Sequence, residues 1–303
     1  MKIRKEQRMR KWMDISIASL VLAMMASCDV INPAESIPAY IYVPDIELQT
    51  NGVTQGTDSE KITDVWLSVD GGFLGAYTLP ALIPVLEVGN REIILQAGIK
   101  DNGINSTPDI YPYYESFAYS GELISNEVDT VRPVIGYQDG VVFAFIENFE
   151  RNDYLFQDVL RGEPGQLQLV ADGVFEGSQS LRISLDTASS FVEVATNERF
   201  GGLTERSPLV YLEVNYRSDV PVIFGVIGHE VNGLPSQGIL STNPGFSPSE
   251  GWNKIYFNLS RLIIEVNREE FQIVLQAFIP VENGQLAQKS ANVWLDNIKL
   301  VHF

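Results

Sequence analysis

The sequence predicts an all-β chain, a small β-sandwich followed by a larger antiparallel sandwich of jelly-roll type. Three observations predict it. Runs rich in Val, Ile, Leu and aromatic residues recur at short intervals, separated by Gly, Asn, Pro and Ser clusters. The second half contains no amphipathic helix of any length. A turn-rich stretch, Arg132 to Gly140 (RPVIGYQDG), separates two sets of such runs. The 303 residues, 45% of them apolar, are enough for two cores and argue against disorder.

The first set occupies 38–135. Ala39–Val43 is a β-rich run stopped by Pro44. After the loop Asn51–Glu60, Ile62–Val69 alternates into Asp70-Gly71-Gly72, a tight-turn signal, with Phe73–Tyr77 as its partner strand. Leu79-Pro80 and Ile83-Pro84-Val85 are expected to break the pattern. Glu92–Ile99 is a further strand, turned at Asp101-Asn102-Gly103, and Tyr114–Tyr119 and Thr130–Val134 complete the set. Tyr111-Pro112-Tyr113-Tyr114 is an aromatic cluster expected to pack in a core or between domains.

The second set occupies 141–303. It opens with the apolar run Val141–Ile146. Strands are predicted at Gln166–Ala171, Ser180–Leu185, Phe191–Ala195, Val210–Tyr216, Val222–Gly228, Lys254–Leu259, Phe271–Ile279 and Val293–His302. Eight or so short strands with such turns argue an antiparallel sandwich. Val231–Ser249 is expected as a long, turn-rich loop.

The N-terminus orders basic residues (Lys2 to Lys11), an apolar run from Ile15 to Ala26, and small residues, the pattern of a secretory signal. The run is too short for a helix spanning a bilayer core of roughly 30 Å. Met25-Ala26-Ser27-Cys28 resembles a bacterial lipobox, with Met where Leu is usual, and Cys28 is the sole cysteine. The resemblance implies a signal peptide over 1–27, an acyl lipid such as palmitate on Cys28, and a tether over 28–37 fixing the chain to a lipid bilayer. Asp129-Thr130-Val131 and Asp186-Thr187-Ala188 resemble sites at which Bacteroidota attach O-glycans to exported proteins. Together these imply a lipoprotein of the cell envelope, at the outer membrane. The whole chain carries a net charge of −18; loss of 1–27 removes six basic and two acidic residues and leaves −22. Such a chain repels phosphate backbones, which excludes nucleic acid as a partner.

Two further resemblances cover the domains. Val65–Gly72, Leu74-Gly75, Leu79-Pro80-Ala81 and Val88-Gly89-Asn90 resemble the small Ig-like sandwiches called PEGA domains, although the Pro-Glu-Gly-Ala tetrapeptide is absent. Such modules are spacers or adaptors without catalytic residues. In the second domain, Ile146–Glu150, Gly173–Leu185, Gly251–Ser260 and Val293–Leu300 resemble, in order, the strands of carbohydrate-binding-module jelly rolls of galactose-binding-like type. That resemblance implies a structural calcium held by Glu150 and Asp296, the acids in the first- and closing-strand slots.

The residues themselves offer little catalysis. His229 and His302 are the only histidines, no zinc spacing surrounds them, and no two acids are placed for glycoside hydrolysis. The expectation is therefore a protein that is not an enzyme and has no catalytic cofactor. Sugar binding calls for exposed rings beside polar groups, and Tyr216 at a strand end and Trp252 are the candidate ligand contacts. The expected function is a membrane-anchored, non-catalytic binding or adaptor lipoprotein with a glycan as first candidate ligand. The competing expectation is a structural subunit of an outer-membrane assembly, export or motility complex.

Overall fold

The computed structural model describes Trp12 and residues 36–303. Apart from Trp12, the stretch expected to be a signal peptide, with Cys28 and nearly all of the expected tether, lies outside the described residues. The chain folds into two β-sandwiches.

The first contains β1 (Ala39–Val43), β2 (Glu47–Leu48), β3 (Asp64–Val69), β4 (Gly72–Thr78), β5 (Ala81–Val85), β6 (Gly89–Lys100), β7 (Pro108–Ile110), β8 (Phe117–Leu123), β9 (Val128–Thr130) and β10 (Val134–Ile135). One sheet runs β5-β1-β9, with β1 and β9 parallel. The other runs β4-β3-β6, and the long β6 pairs with β8 along its first half and β7 at its end. Alternation buries Ile41, Ile83, Val65, Leu67, Ile93 and Leu95 between the sheets. The β3–β4 turn places Asp70 and Gly71 at φ of 49° and 79°, the left-handed pair that a two-residue hairpin needs. Pro84 does not break the pattern as expected. It lies within β5, which is an edge strand, so its missing N–H deprives no ladder partner.

The second sandwich contains β11 (Val142–Glu147), β12 (Asp158–Arg161), β13 (Leu167–Val170), β14 (Ser180–Asp186), β15 (Phe191–Ala195), β16 (Phe200–Gly201), β17 (Val210–Ser218), β18 (Val222–His229), β19 (Ile239–Phe246), β20 (Ser249–Asn258), the short helix α1 (Ser260–Val266), β21 (Glu270–Phe278), the small hairpin β22 (Val281–Glu282) and β23 (Gln285–Leu286), and β24 (Ser290–His302). One sheet runs β13-β14-β24-β17-β20, with β11 also on β24. The other runs β12-β15-β21-β18-β19, with β16 on β21. Every pairing in both sheets is antiparallel. The core between them holds Leu181, Ile183, Leu212, Val214, Phe224, Phe257, Ile273, Leu275, Val293 and Leu295.

Two features differ from expectation. The stretch 231–249 is not all loop, because 239–246 forms β19 against β18. Helix α1 covers one end of the sandwich, burying Leu262, Ile263 and Val266 at helical spacing and turning at Asn267 in the left-handed region.

Candidate functional site

The site is built on the outer face of the sheet β13-β14-β24-β17-β20. Alternation along β17 sends Val210, Leu212, Val214 and Tyr216 into the core, and Tyr211, Glu213, Asn215 and Arg217 outward. The same rule turns Lys254 and Tyr256 of β20 and Lys299 and Val301 of β24 outward. This outer face divides into two halves.

The first half is sealed by the first domain. Tyr111, Tyr113, Tyr114 and Tyr137 pack against Tyr211 and Tyr256, with the Tyr111 ring centre 5.3 Å from Tyr211 and 4.8 Å from Tyr256. The expected packing role of this aromatic cluster is therefore realised between the domains. At its centre lies Glu213, fully buried. Tyr111 and Tyr137 each donate a hydroxyl to Glu213 Oε1 at 2.8 Å, and Lys254 Nζ lies 2.6 Å from Oε2. Burial pushes this carboxyl up, but the Lys254 and Lys299 ammoniums overcome that and hold it below the usual carboxylate range. Lys299, also fully buried, donates to the Thr57 carbonyl at 2.9 Å and to Tyr137 at 3.3 Å. Burial draws its ammonium down to about 8. The loop before β3 closes the seam: Lys254 donates to the Ser59 carbonyl at 2.6 Å, Asn215 to Ser59 Oγ at 2.7 Å, and Lys61 N to the Tyr256 hydroxyl at 3.0 Å.

The second half is open. The register aligns Gln168 with Arg182, Arg182 with Trp294, and Trp294 with Arg217 across four strands. Trp252 of the edge strand extends this row. The Arg217 guanidinium lies 3.9 Å above the centre of the Trp294 ring and 6.0 Å from that of Trp252. Arg182 Nη2 donates to Gln168 Oε1 at 2.6 Å. Trp252 is fixed by its indole N–H, which donates to the Gly173 carbonyl at 3.1 Å, and by Phe175, 5.4 Å away. Gly173 sits at φ 69°, and a Cβ there would come within 2.9 Å of Arg217, so glycine leaves room for the guanidinium. Trp294, Arg217, Trp252 and Arg182 are half-buried, and Gln168 is exposed. Flat rings, fork-shaped donors and an amide are thus presented in one line on a rigid sheet.

The residues singled out from the sequence fall in three places. Trp252 lies on the open row. Tyr216 is not an exposed ring: it belongs to the inward set of β17, is 5% exposed, and stacks on Phe246 at 3.7 Å. Only its hydroxyl, receiving Asn253 Nδ2 at 3.0 Å, reaches a cavity of about 360 Å³ at the seam, lined also by Lys61, Lys100 and Asn105. Glu150 and Asp296 grip one loop from two sides. Glu150, beyond the end of β11, accepts the backbone N–H groups of Ser178 and Gln179 at 2.7 and 3.0 Å, and the Ser178 hydroxyl. Asp296 is buried at an irregular point of β24, between the stretches paired with β14 and β11. It accepts Ser180 Oγ at 2.7 Å and Asn297 N at 2.9 Å, and burial raises its carboxyl to about 6. Both carboxylates thus hold the loop of residues 176–180 by hydrogen bonds. Among the described residues, no group of three or more His, Cys, Asp or Glu is placed to hold a metal.

Sequence reasoning missed Arg182, Trp294 and Arg217 as a set. Each has the parity opposite to its core neighbours (Leu181 and Ile183, Val293 and Leu295, Tyr216), which is a readable signal. Their alignment depends on cross-strand register, which is not.

No family model matches the sequence. No curated protein matches it. Solved structures similar to it include a carbohydrate-binding module of the β-sandwich superfamily, at 14% identity and TM-score 0.34, covering 78% of this chain and 84% of that one. Another is the family 30 module of a Clostridium thermocellum cellulosomal cellulase, at 13% identity and TM-score 0.37, covering 52% and 96%. A third is a family 11 module from a cellulase of the same organism, at 15% identity and TM-score 0.36, covering 52% and 92%. The shared feature is the β-sandwich.

Proposed function

We propose that this chain is a non-catalytic, lipid-anchored binding protein of the cell envelope whose ligand is a glycan. The observation that carries the reading is the row Gln168–Arg182–Trp294–Arg217–Trp252 on the open half of the sheet. Indole faces stack on the apolar faces of pyranose rings, and guanidinium and amide groups hydrogen-bond to sugar hydroxyls. A line of such groups along a flat sheet suits an extended chain better than a single sugar. The test is a glycan array probed with the intact protein and with Trp252→Ala and Trp294→Ala. Binding to a glycan subset, lost in both variants, supports the reading. Binding unchanged in both, or none at all, overturns it.

A second reading, a subunit held by a protein partner, is favoured by a different surface. On the outer face of β5-β1-β9, Leu82, Leu86 and Val128 are each more than half exposed, and Tyr40 and Tyr42 are only half-buried between them. Purification of the lipidated protein from its own membranes tests this, since a stoichiometric partner that is lost on Leu82→Asp would establish it.

A further inference from the structure

We infer that the glycan of the open row is acidic, carrying carboxylate groups of the uronate type; this rests on the glycan reading above. The chain has 39 acidic residues and 21 basic ones. Of the 15 basic ones among the described residues seven form an ion pair and eight do not, so the signal is the placing of two unpaired guanidiniums in one row. The row holds two guanidiniums and no carboxylate. None of the ion pairs among the described residues includes Arg182 or Arg217. The nearby acids have other roles: Asp219 accepts from Asn292 N at 2.9 Å, Glu176 from Asn297 Nδ2 at 3.0 Å, and Asp296 from Ser180. Asp172 in the flanking turn is exposed and makes no ion pair with Arg217. Arg182 Nε and Arg217 Nε are buried and have no hydrogen-bond partner. Neutral sugar hydroxyls need no such concentration of positive charge. A carboxylate does, because the planar guanidinium offers it a matching two-pronged donor. The ring of Trp294 holds the Arg217 fork flat, so little side-chain freedom is lost when an anion arrives.

The contrast with the sealed half sharpens the point. There Lys254 pairs with Glu213, and Lys299 beside it is held by the Thr57 carbonyl and the Tyr137 hydroxyl. The open half leaves its two charges to be neutralised from outside.

The experiment measures affinity of the intact protein for polygalacturonate and for the same polymer fully methyl-esterified, with alginate as a second acidic polymer and a panel of neutral glycans. Esterification removes the charge and keeps the backbone. Charged hydrogen bonds of this kind predict an acidic polymer bound at least about tenfold more tightly than the esterified one. That preference should shrink as salt rises from about 0.05 M to about 0.5 M. Arg217→Gln and Arg182→Gln should each abolish most of it, with melting checked separately; Arg182, on a different strand from Arg217, guards against a folding defect in the first variant. Equal or tighter binding of the esterified polymer, or binding of neutral glycans alone, overturns the acidic assignment and leaves the glycan reading standing. Binding of no glycan, acidic or neutral, removes both.

Discussion

One sheet face carries two opposite solutions to the same problem of outward-facing charge. Over one half, Glu213, Lys254 and Lys299 are covered by the first domain, and each is met by an opposite charge, a hydroxyl or a carbonyl. Over the other, Arg182 and Arg217 stay at the surface with rings beside them and no acid. The strands and their alternation are shared, so only the cover differs. The difference teaches that the first domain is more than a spacer, because it buries half of a face that the second domain would otherwise expose. On the proposed reading, stability belongs to the closed half and binding to the open one.

The largest effect should come from removing the cover. Residues 141–303 alone would expose Tyr211, Tyr256 and Lys299, all of which are buried in the whole chain. This fragment is expected to aggregate or to melt well below the full chain. A monomeric fragment with an unchanged melting midpoint would break the comparison.

Next is Glu213→Gln, which leaves Lys254 and Lys299 facing each other without an anion. Removing one member of a buried ionic set costs about 3–5 kcal/mol. Urea unfolding of the intact chain measures it, and a loss below about 1 kcal/mol would contradict the account.

Asp296 gives a pH-dependent effect. Its carboxyl titrates near 6 in the fold against an ordinary 3.8. Between those values the folded chain holds a proton that the unfolded chain releases, so this group's contribution falls as pH rises through that window. The loss is roughly 3 kcal/mol at most. Asp296→Asn should flatten this part of the stability profile, and a variant profile parallel to the wild type would contradict it. A calcium ion on this carboxylate would lower its pKa, so the slope in chelator should vanish in calcium if the ion binds.

The smallest effect belongs to the open row. Arg182→Gln should change stability by less than about 1 kcal/mol, since a half-exposed side chain with one amide partner supports little of the fold. A larger loss would make the row structural.

The sequence made the two sandwiches legible because alternation and turn chemistry are local. Asp70-Gly71 announced its hairpin in this way. Strand β19 was obscured by Asn243, Pro244 and Gly245, and α1 by its length of seven residues. The site was legible only in fragments. Trp252 stood out by type, whereas Tyr216 was misjudged because a ring at a strand end was expected outside. The parity shared with Val210, Leu212 and Val214 put it inside. The sealed half was illegible because nothing local to Glu213 indicates that Tyr111 and Tyr137 will reach it. Such contacts between distant parts of the chain are set by how two finished sandwiches meet.

The most direct test is oxidative footprinting of the intact protein, read at Trp66, Trp252 and Trp294, alone and with each glycan that binds it. The account predicts that Trp252 and Trp294 are oxidised in the free protein and shielded together by the glycan, with Trp66 of the first domain unchanged. Shielding at Trp66 alone, or bound glycan that leaves Trp252 and Trp294 as reactive as before, would contradict it.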